Sequence, residues 1–188
     1  TNEASADIFE GAFSHMLERA VASGVIANDK AITLAGIRVV APGTFFHEHR
    51  IVDDAFVTEL QDRYPLSPLH IPGVLREIAV VQERLPDTKL VGVSDSAFHA
   101  SLPQEAALYS IDPETAAAID LKRFGYHGLS VASVARRIES IFDKTPKRVV
   151  VCHLGGGVSV TALRDGVSID TSMGFTPESG LMMGARAG

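Results

Sequence analysis

Apolar positions near the start of the chain recur with a helical period. Between Ile8 and Val21 the residues Ile8, Phe9, Ala12, Phe13, Met16, Leu17 and Ala20 fall at spacings of one, three and four, which predicts an amphipathic helix with its apolar side in a core. The pattern then changes. Ala31 to Val40 holds Ile32, Leu34, Ile37, Val39 and Val40, a β-branched run closed by Ala41-Pro42-Gly43, and reads as a buried strand ending in a turn. Asp53 to Arg63 has helical character that Pro65 and Pro68 stop, because proline removes a backbone donor and restricts the residue before it. Val74 to Leu85 predicts another helix and Lys89 to Val93 a short buried strand, with Ser94-Asp95-Ser96 at its end, where open α/β sheets usually meet their ligands.

The second half continues with helices over Pro113 to Leu121 and Leu129 to Phe142, separated by the glycine-flanked loop Gly125-Tyr126-His127-Gly128. Arg148 to Cys152 reads as an apolar strand, His153 to Gly157 as a tight turn, and Val158 to Leu163 with Val167 to Ile169 as further strands of a β-meander. No internal repeat interrupts this order, and the best boundary between two units lies near Phe98 to Pro103.

Composition narrows the function classes. The 188 residues are 46% hydrophobic and 21% charged, ordinary for a folded soluble protein. A net charge of −6 argues against general binding to nucleic acid or anionic membranes, which need excess Lys and Arg to replace counterions. Cys152 is the only cysteine, so an internal disulfide is impossible, and its place behind Val149-Val150-Val151 suggests a buried thiol in a reducing, cytoplasmic compartment. No apolar run approaches the roughly 20 residues that span a bilayer, and the start lacks the regions of a signal peptide. The chain begins without Met and stops directly after a glycine-rich stretch, and we expect a piece of a longer protein.

Several residues could carry chemistry. Arg38 interrupts an apolar strand and must find an anion, an ion-pair partner or a path to water. Gly155-Gly156-Gly157 can expose backbone N–H groups to a phosphate, or serve only as a hairpin turn. His70, His127 and His153 stand at irregular or strand-end positions, where imidazoles serve either structure or function. His47-Glu48-His49 lacks a third metal ligand at a recognisable spacing and reads as a solvated turn. Leu181, Met182 and Met183 read as packing, and Arg186 lies among small residues that would let a ligand approach its cation.

Taken together, Asp170 to Gly188 (DTSMGFTPESGLMMGARAG), Val151 to Ser159 (VCHLGGGVS) and Arg123 to Ser130 (RFGYHGLS) resemble the acetate kinase family, which acts on acetate, propionate or butyrate. Leu66 to Pro72 (LSPLHIP) and Ser94 to His99 (SDSAFH) agree in order and approximate spacing. Both Ile37 to Val40 and His49 to Val52 resemble the family's His-Arg-Val-Val strand, and the distance to the Pro-Leu-His segment favours Arg38 over Arg50. The resemblance covers only the middle of a family member, without its opening strand and serine-rich phosphate loop.

The resemblance implies an α/β, actin/hexokinase-like (ribonuclease H-like), two-lobed kinase fold, with residues 1–98 in the N-terminal lobe and 99–188 beginning the C-terminal lobe. It implies ATP-dependent phosphorylation of a short-chain carboxylate with Mg2+, by direct in-line transfer in a cytoplasmic homodimer. Arg38 and Arg186 would clamp the carboxylate and the migrating phosphoryl group, His127 would donate to its oxygens, and Asp95 would organise the arginines and, indirectly, the Mg2+. Val40, Leu69, Tyr126 and Pro177 would form the acyl pocket, with His70 beside it. His153 and Gly155, Gly156 and Gly157 would face the nucleotide phosphates. Departures from the family pattern are Ala41-Pro42-Gly43 for His-Gly-Gly, Ile71, Val74 and Gly156 for asparagines, Glu178-Ser179 for Leu-Glu, and Ala185 for threonine. Those losses keep open a non-catalytic protein that binds an acyl phosphate or nucleotide, and a fragment inactive because half its cleft is missing.

Overall fold

The computed structural model describes the backbone of residues 3–184 and the side-chain surroundings of residues 8–184. Helix α1 (Glu3–Ala22) forms over the expected periodic segment. Among the described residues it meets the first core through Leu17 and Phe13, which lie one turn apart on a single narrow strip. Ile8 (71% exposed) and Met16 (54%) lie off that strip, so the expected burial of the whole apolar side does not occur.

The first sheet holds β1 (Leu34–Val39), β2 (Arg50–Ile51) and β3 (Lys89–Ser94) in the order β1-β3-β2. β1 and β3 are parallel, with Arg38 opposite Val93, and β2 adds an antiparallel edge that the hydrophobic pattern does not reveal because it is two residues long. The parallel pair is connected through α2 (Asp54–Asp62) and α3 (Ile71–Arg84). Asp53 caps α2 by accepting the Phe56 N–H at 2.8 Å, and α3 begins three residues before the predicted start, with Pro72 in a first turn where its missing donor does no harm. Ile37, Val39 and Leu90 from the sheet join Phe56, Leu60, Ile71 and Ile78 from the helices in one core. Gly92 is the thin point, since a methyl group there would lie 2.2 Å from the Phe56 ring.

The second half contains the short helices α4 (Gln104–Ala107) and α5 (Pro113–Ala118), then α6 (Gly128–Phe142) and the predicted antiparallel meander. Its strands are β4 (Arg148–Leu154), β5 (Val158–Arg164) and β6 (Val167–Thr171). Val151 and Leu163 pack on Val131 of α6. Strand alternation corrects the expectation for Cys152: with Val151 turned inward, Cys152 is turned outward and exposed, so its thiol is not a buried one. His153 likewise belongs to β4 rather than to the turn after it. Among the described residues no helix is long and apolar enough to cross a membrane.

Apolar and charged contacts bind the halves together. Val40, at the end of β1, packs with Phe124, Tyr126, Met173 and Met183 in a separate apolar cluster. The Asp120 carboxylate accepts the Thr44 N–H at 2.8 Å and its hydroxyl at 2.6 Å, and stands 3.6 Å from the Arg63 guanidinium. His47 is drawn into this region, its ring edge-on to Phe124 at 5.1 Å between centroids, so this one residue of the expected solvated turn is half-buried while Glu48 and His49 stay exposed.

Gly92→Ala should therefore destabilise the fold. Overpacking a filled core costs about 1–3 kcal/mol, and a chemical denaturation curve should show a lower midpoint with an unchanged slope.

Candidate active site

Arg38 is the next-to-last residue of β1 and Asp95 the first residue after β3, so the parallel register brings the two residues together at the C-terminal end of the parallel strands. Asp95 is 1% exposed, and a carboxylate so placed needs donors. It has three. Arg38 donates through Nε to Oδ1 at 3.3 Å and through Nη2 to Oδ2 at 2.8 Å, and the His127 backbone N–H donates to Oδ2 at 2.7 Å. The Asp95 main chain adds two contacts: its N–H donates to the Val39 carbonyl at 2.8 Å and its carbonyl accepts from the Gly128 N–H at 2.8 Å. Gly128 has no substitute here, because a Cβ would lie 2.4 Å from that carbonyl oxygen. Arg38 keeps 57% of its side chain exposed, so the guanidinium is anchored on one side and open on the other. The hydrogen bond to Asp95 raises the arginine pKa further.

His127 caps α6 in the left-handed region, at φ 60°, which is uncommon for a residue with a side chain. Its ring is stacked on that of His153, with centroids 3.9 Å apart and planes 19° from parallel. Each ring meets a hydroxyl at Nδ1: His127 meets Ser159 Oγ and His153 meets Ser130 Oγ, both at 3.0 Å. Burial, and then the neighbouring His153, lower the His127 pKa from 6.5 to about 4, so the imidazole is neutral at physiological pH. His47 falls to about 4 as well, mainly through burial.

The other predicted residues are placed as follows. Val40 and Tyr126 share the apolar cluster already described, and Pro177 is buried close by in sequence to its Phe175. The Tyr126 hydroxyl donates to the Phe175 carbonyl at 2.6 Å, while the Tyr109 hydroxyl accepts the Phe175 N–H at 2.8 Å, so two phenols hold the backbone of one residue. Leu69 is 75% exposed and outside that cluster. His70 stands at the start of α3 with its Nδ1 3.4 Å from Ser67 Oγ. Gly155 donates to the Gly157 carbonyl at 3.0 Å, closing the turn on itself, and Gly156 has open space where a Cβ would be. Arg186 lies outside the described residues. Arg50 is engaged elsewhere, with Nε on the Phe45 carbonyl at 2.9 Å and an ion pair to Glu48.

Ser159, Ser130, Tyr109 and His99 touch these residues without standing out in the sequence. His99 is fully buried, with Nε2 3.0 Å from the Tyr126 carbonyl and Nδ1 2.9 Å from Ser168 Oγ. For Ser159 a signal existed: strand alternation puts it on the inward face of β5 with Thr161 and Leu163.

The Acetokinase family profile matches residues 1–188. Acetate kinase of Streptomyces coelicolor is 41% identical over 167 residues, which are 88% of this chain and 41% of that protein. Acetate kinase of Clavibacter michiganensis subsp. michiganensis is 42% identical over 178 residues, 94% of this chain and 45% of that one. Among solved structures, a propionate kinase from Francisella tularensis superposes with a TM-score of 0.84 at 34% identity, over 97% of this chain and 46% of its own. Acetate kinase from Entamoeba histolytica superposes with a TM-score of 0.79 at 29% identity, over 95% and 45%. The chain thus spans less than half the length of these relatives, and within that span the expected α/β fold of the two-lobed kinases is borne out.

Three histidines, His47, His127 and the buried His99, are held below their ordinary pKa chiefly by burial, and they set a direction for acid stability. Between about pH 6.5 and 4 the unfolded chain binds protons that the folded His47 and His127 refuse, so their contribution to stability is complete above that window and shrinks as pH falls through it. Melting temperature should decline on acidification across this range, and replacing His47 and His127 with glutamine should make the decline shallower.

Proposed function

The chain belongs to the acetokinase family, and on that premise we propose that it supplies the central part of a kinase that transfers a phosphoryl group from ATP to acetate or propionate. One observation carries the reading: a single buried carboxylate, Asp95, grips both an outward-open arginine and the backbone of a neutral histidine. Those are the donors an anionic acceptor and a spreading phosphoryl charge require, because phosphoryl-transfer catalysis is largely positioning and electrostatic stabilisation.

In the proposed reaction a carboxylate oxygen attacks the γ-phosphorus in line. The bond from that phosphorus to the bridging oxygen breaks, ADP leaves with the electron pair, and an acyl phosphate forms. Arg38, held by Asp95 on one side, offers its remaining N–H groups to the carboxylate and the migrating group, and Arg186 is the second cation. His127, neutral through burial, donates a hydrogen bond rather than a full charge. Val40, Tyr126 and Pro177 shape the acyl pocket, with Leu69 and His70 at its margin, and His153 with Gly155 to Gly157 faces the nucleotide. Both Asp95 oxygens are already engaged, and among the described residues no group of three His, Cys, Asp or Glu side chains could hold a metal ion. The chain's own residues therefore fit Mg2+ only at one remove, with Asp95 acting through Arg38 and the ion entering on the nucleotide. When bound, Mg2+ supplies neutralising charge on the phosphates.

Residues 1–98 would belong to one lobe and 99–188 to the next, with the Asp95 contacts at their junction. The family resemblance supports a cytoplasmic homodimer, and the net charge of −6 supports the absence of a nucleic-acid partner.

The intact protein, incubated with Mg·ATP and acetate, propionate or butyrate, should form an acyl phosphate trapped as the hydroxamate. Arg38→Ala should lower kcat/KM by roughly 100- to 1000-fold, the usual loss for one preorganised donor. Absence of turnover with all three acids would overturn the proposal.

A further inference from the structure

We infer that Ser159 is a positioning residue: its hydroxyl donates to His127 Nδ1 and thereby fixes the imidazole as the tautomer that carries its proton on Nε2. The role it serves, a neutral donor to the migrating phosphoryl group, rests on the function proposed above; the tautomer does not.

The geometry begins with strand register. Ser159 of β5 lies directly opposite His153 of β4, so the two side chains rise from the same face of the sheet. Together they hold the His127 ring, His153 against its face at 3.9 Å and Ser159 at its Nδ1 at 3.0 Å. The ring's own backbone is fixed by the N–H bond to Asp95. One nitrogen is therefore committed, and its partner decides where the proton sits.

Hydrogen-bond satisfaction chooses between the two tautomers. Ser159 is fully buried, and among the described residues its hydroxyl has no polar partner other than His127 Nδ1. If Nδ1 carried the proton, Ser159 would accept it and its own hydroxyl proton would be left buried without an acceptor, a costly arrangement. With the serine donating, both groups are satisfied and the ring's proton resides on Nε2. His99 shows the same solution inside this chain. Its Nε2 lies 3.0 Å from the Tyr126 carbonyl, which can only accept, so its Nδ1 accepts from Ser168 at 2.9 Å.

Proton–nitrogen correlation NMR of the intact protein, labelled at histidine nitrogen, reads the tautomer without turnover. Near neutral pH the wild type should show an unprotonated Nδ1 and a protonated Nε2 for His127. Ser159→Ala should give a mixture, and Ser159→Thr, which keeps the hydroxyl, should restore the single form. In the kinase assay Ser159→Ala should lower kcat by roughly tenfold or more, as loss of an imidazole-orienting partner does at metal centres, with KM for the carboxylate unchanged and kcat recovered in Ser159→Thr. A protonated Nδ1 in the wild type, or the same tautomer in Ser159→Ala, overturns the inference. The wild-type spectrum decides even if the alanine variant fails to fold. A wild type without turnover would defeat the kinase reading alone.

Discussion

The buried negative charge of Asp95 is the constraint on which the rest depends. A carboxylate that water cannot reach must be met by donors from the protein, and removing one partner of such a group costs about 3–5 kcal/mol. Here the donors come from two different parts of the chain: Arg38 at the end of β1 and His127 at the start of α6. Satisfying one charge therefore ties the first sheet to the helix that covers the second. The Gly128 N–H on the Asp95 carbonyl makes the junction tighter, and only a residue without a Cβ could come so close.

From that junction the geometry of the site follows in order. Fixing the His127 backbone against Asp95 forces a left-handed conformation, which a residue with a side chain adopts only when its surroundings hold it there. The ring then lands on the meander, against His153 and the Ser159 hydroxyl. Burial keeps the imidazole neutral, so among the described residues the fixed positive charge beside Asp95 is that of Arg38. A strong cation beside a neutral donor lets an anion be held by charge while directed hydrogen bonds follow its changing shape.

Much of this was legible in the sequence, and the reason differs by residue. Arg38 was visible because a guanidinium in an apolar strand demands an explanation, and Asp95 because it closes a strand of an α/β unit; the parallel register supplies their meeting. The meander was visible from its alternation and glycine turns. What stayed hidden depends on long-range packing. Cys152 and Val150 sit in an apolar run that looks wholly buried, yet only one face of β4 meets α6. The periodic apolar side of α1 likewise says nothing of how wide a strip its neighbours cover. Ser159 and His99 look ordinary until the partners of their polar atoms are known.

Ile71 and Val74, at positions where the resemblance implies asparagines, are buried in the first core beside Leu60 and Ile78. Ala41 is buried in the same core, and Gly43, at φ 125°, lies against the Arg63 guanidinium. None of these substitutions touches the Arg38–Asp95–His127 unit, every member of which retains its partners. Ile71, Val74 and Ala41 therefore belong to the packed first core and leave the Arg38–Asp95–His127 unit intact. A charge network tolerates no partial loss, whereas apolar packing tolerates exchange of side chains of similar volume, so the unit can persist while the core beside it varies.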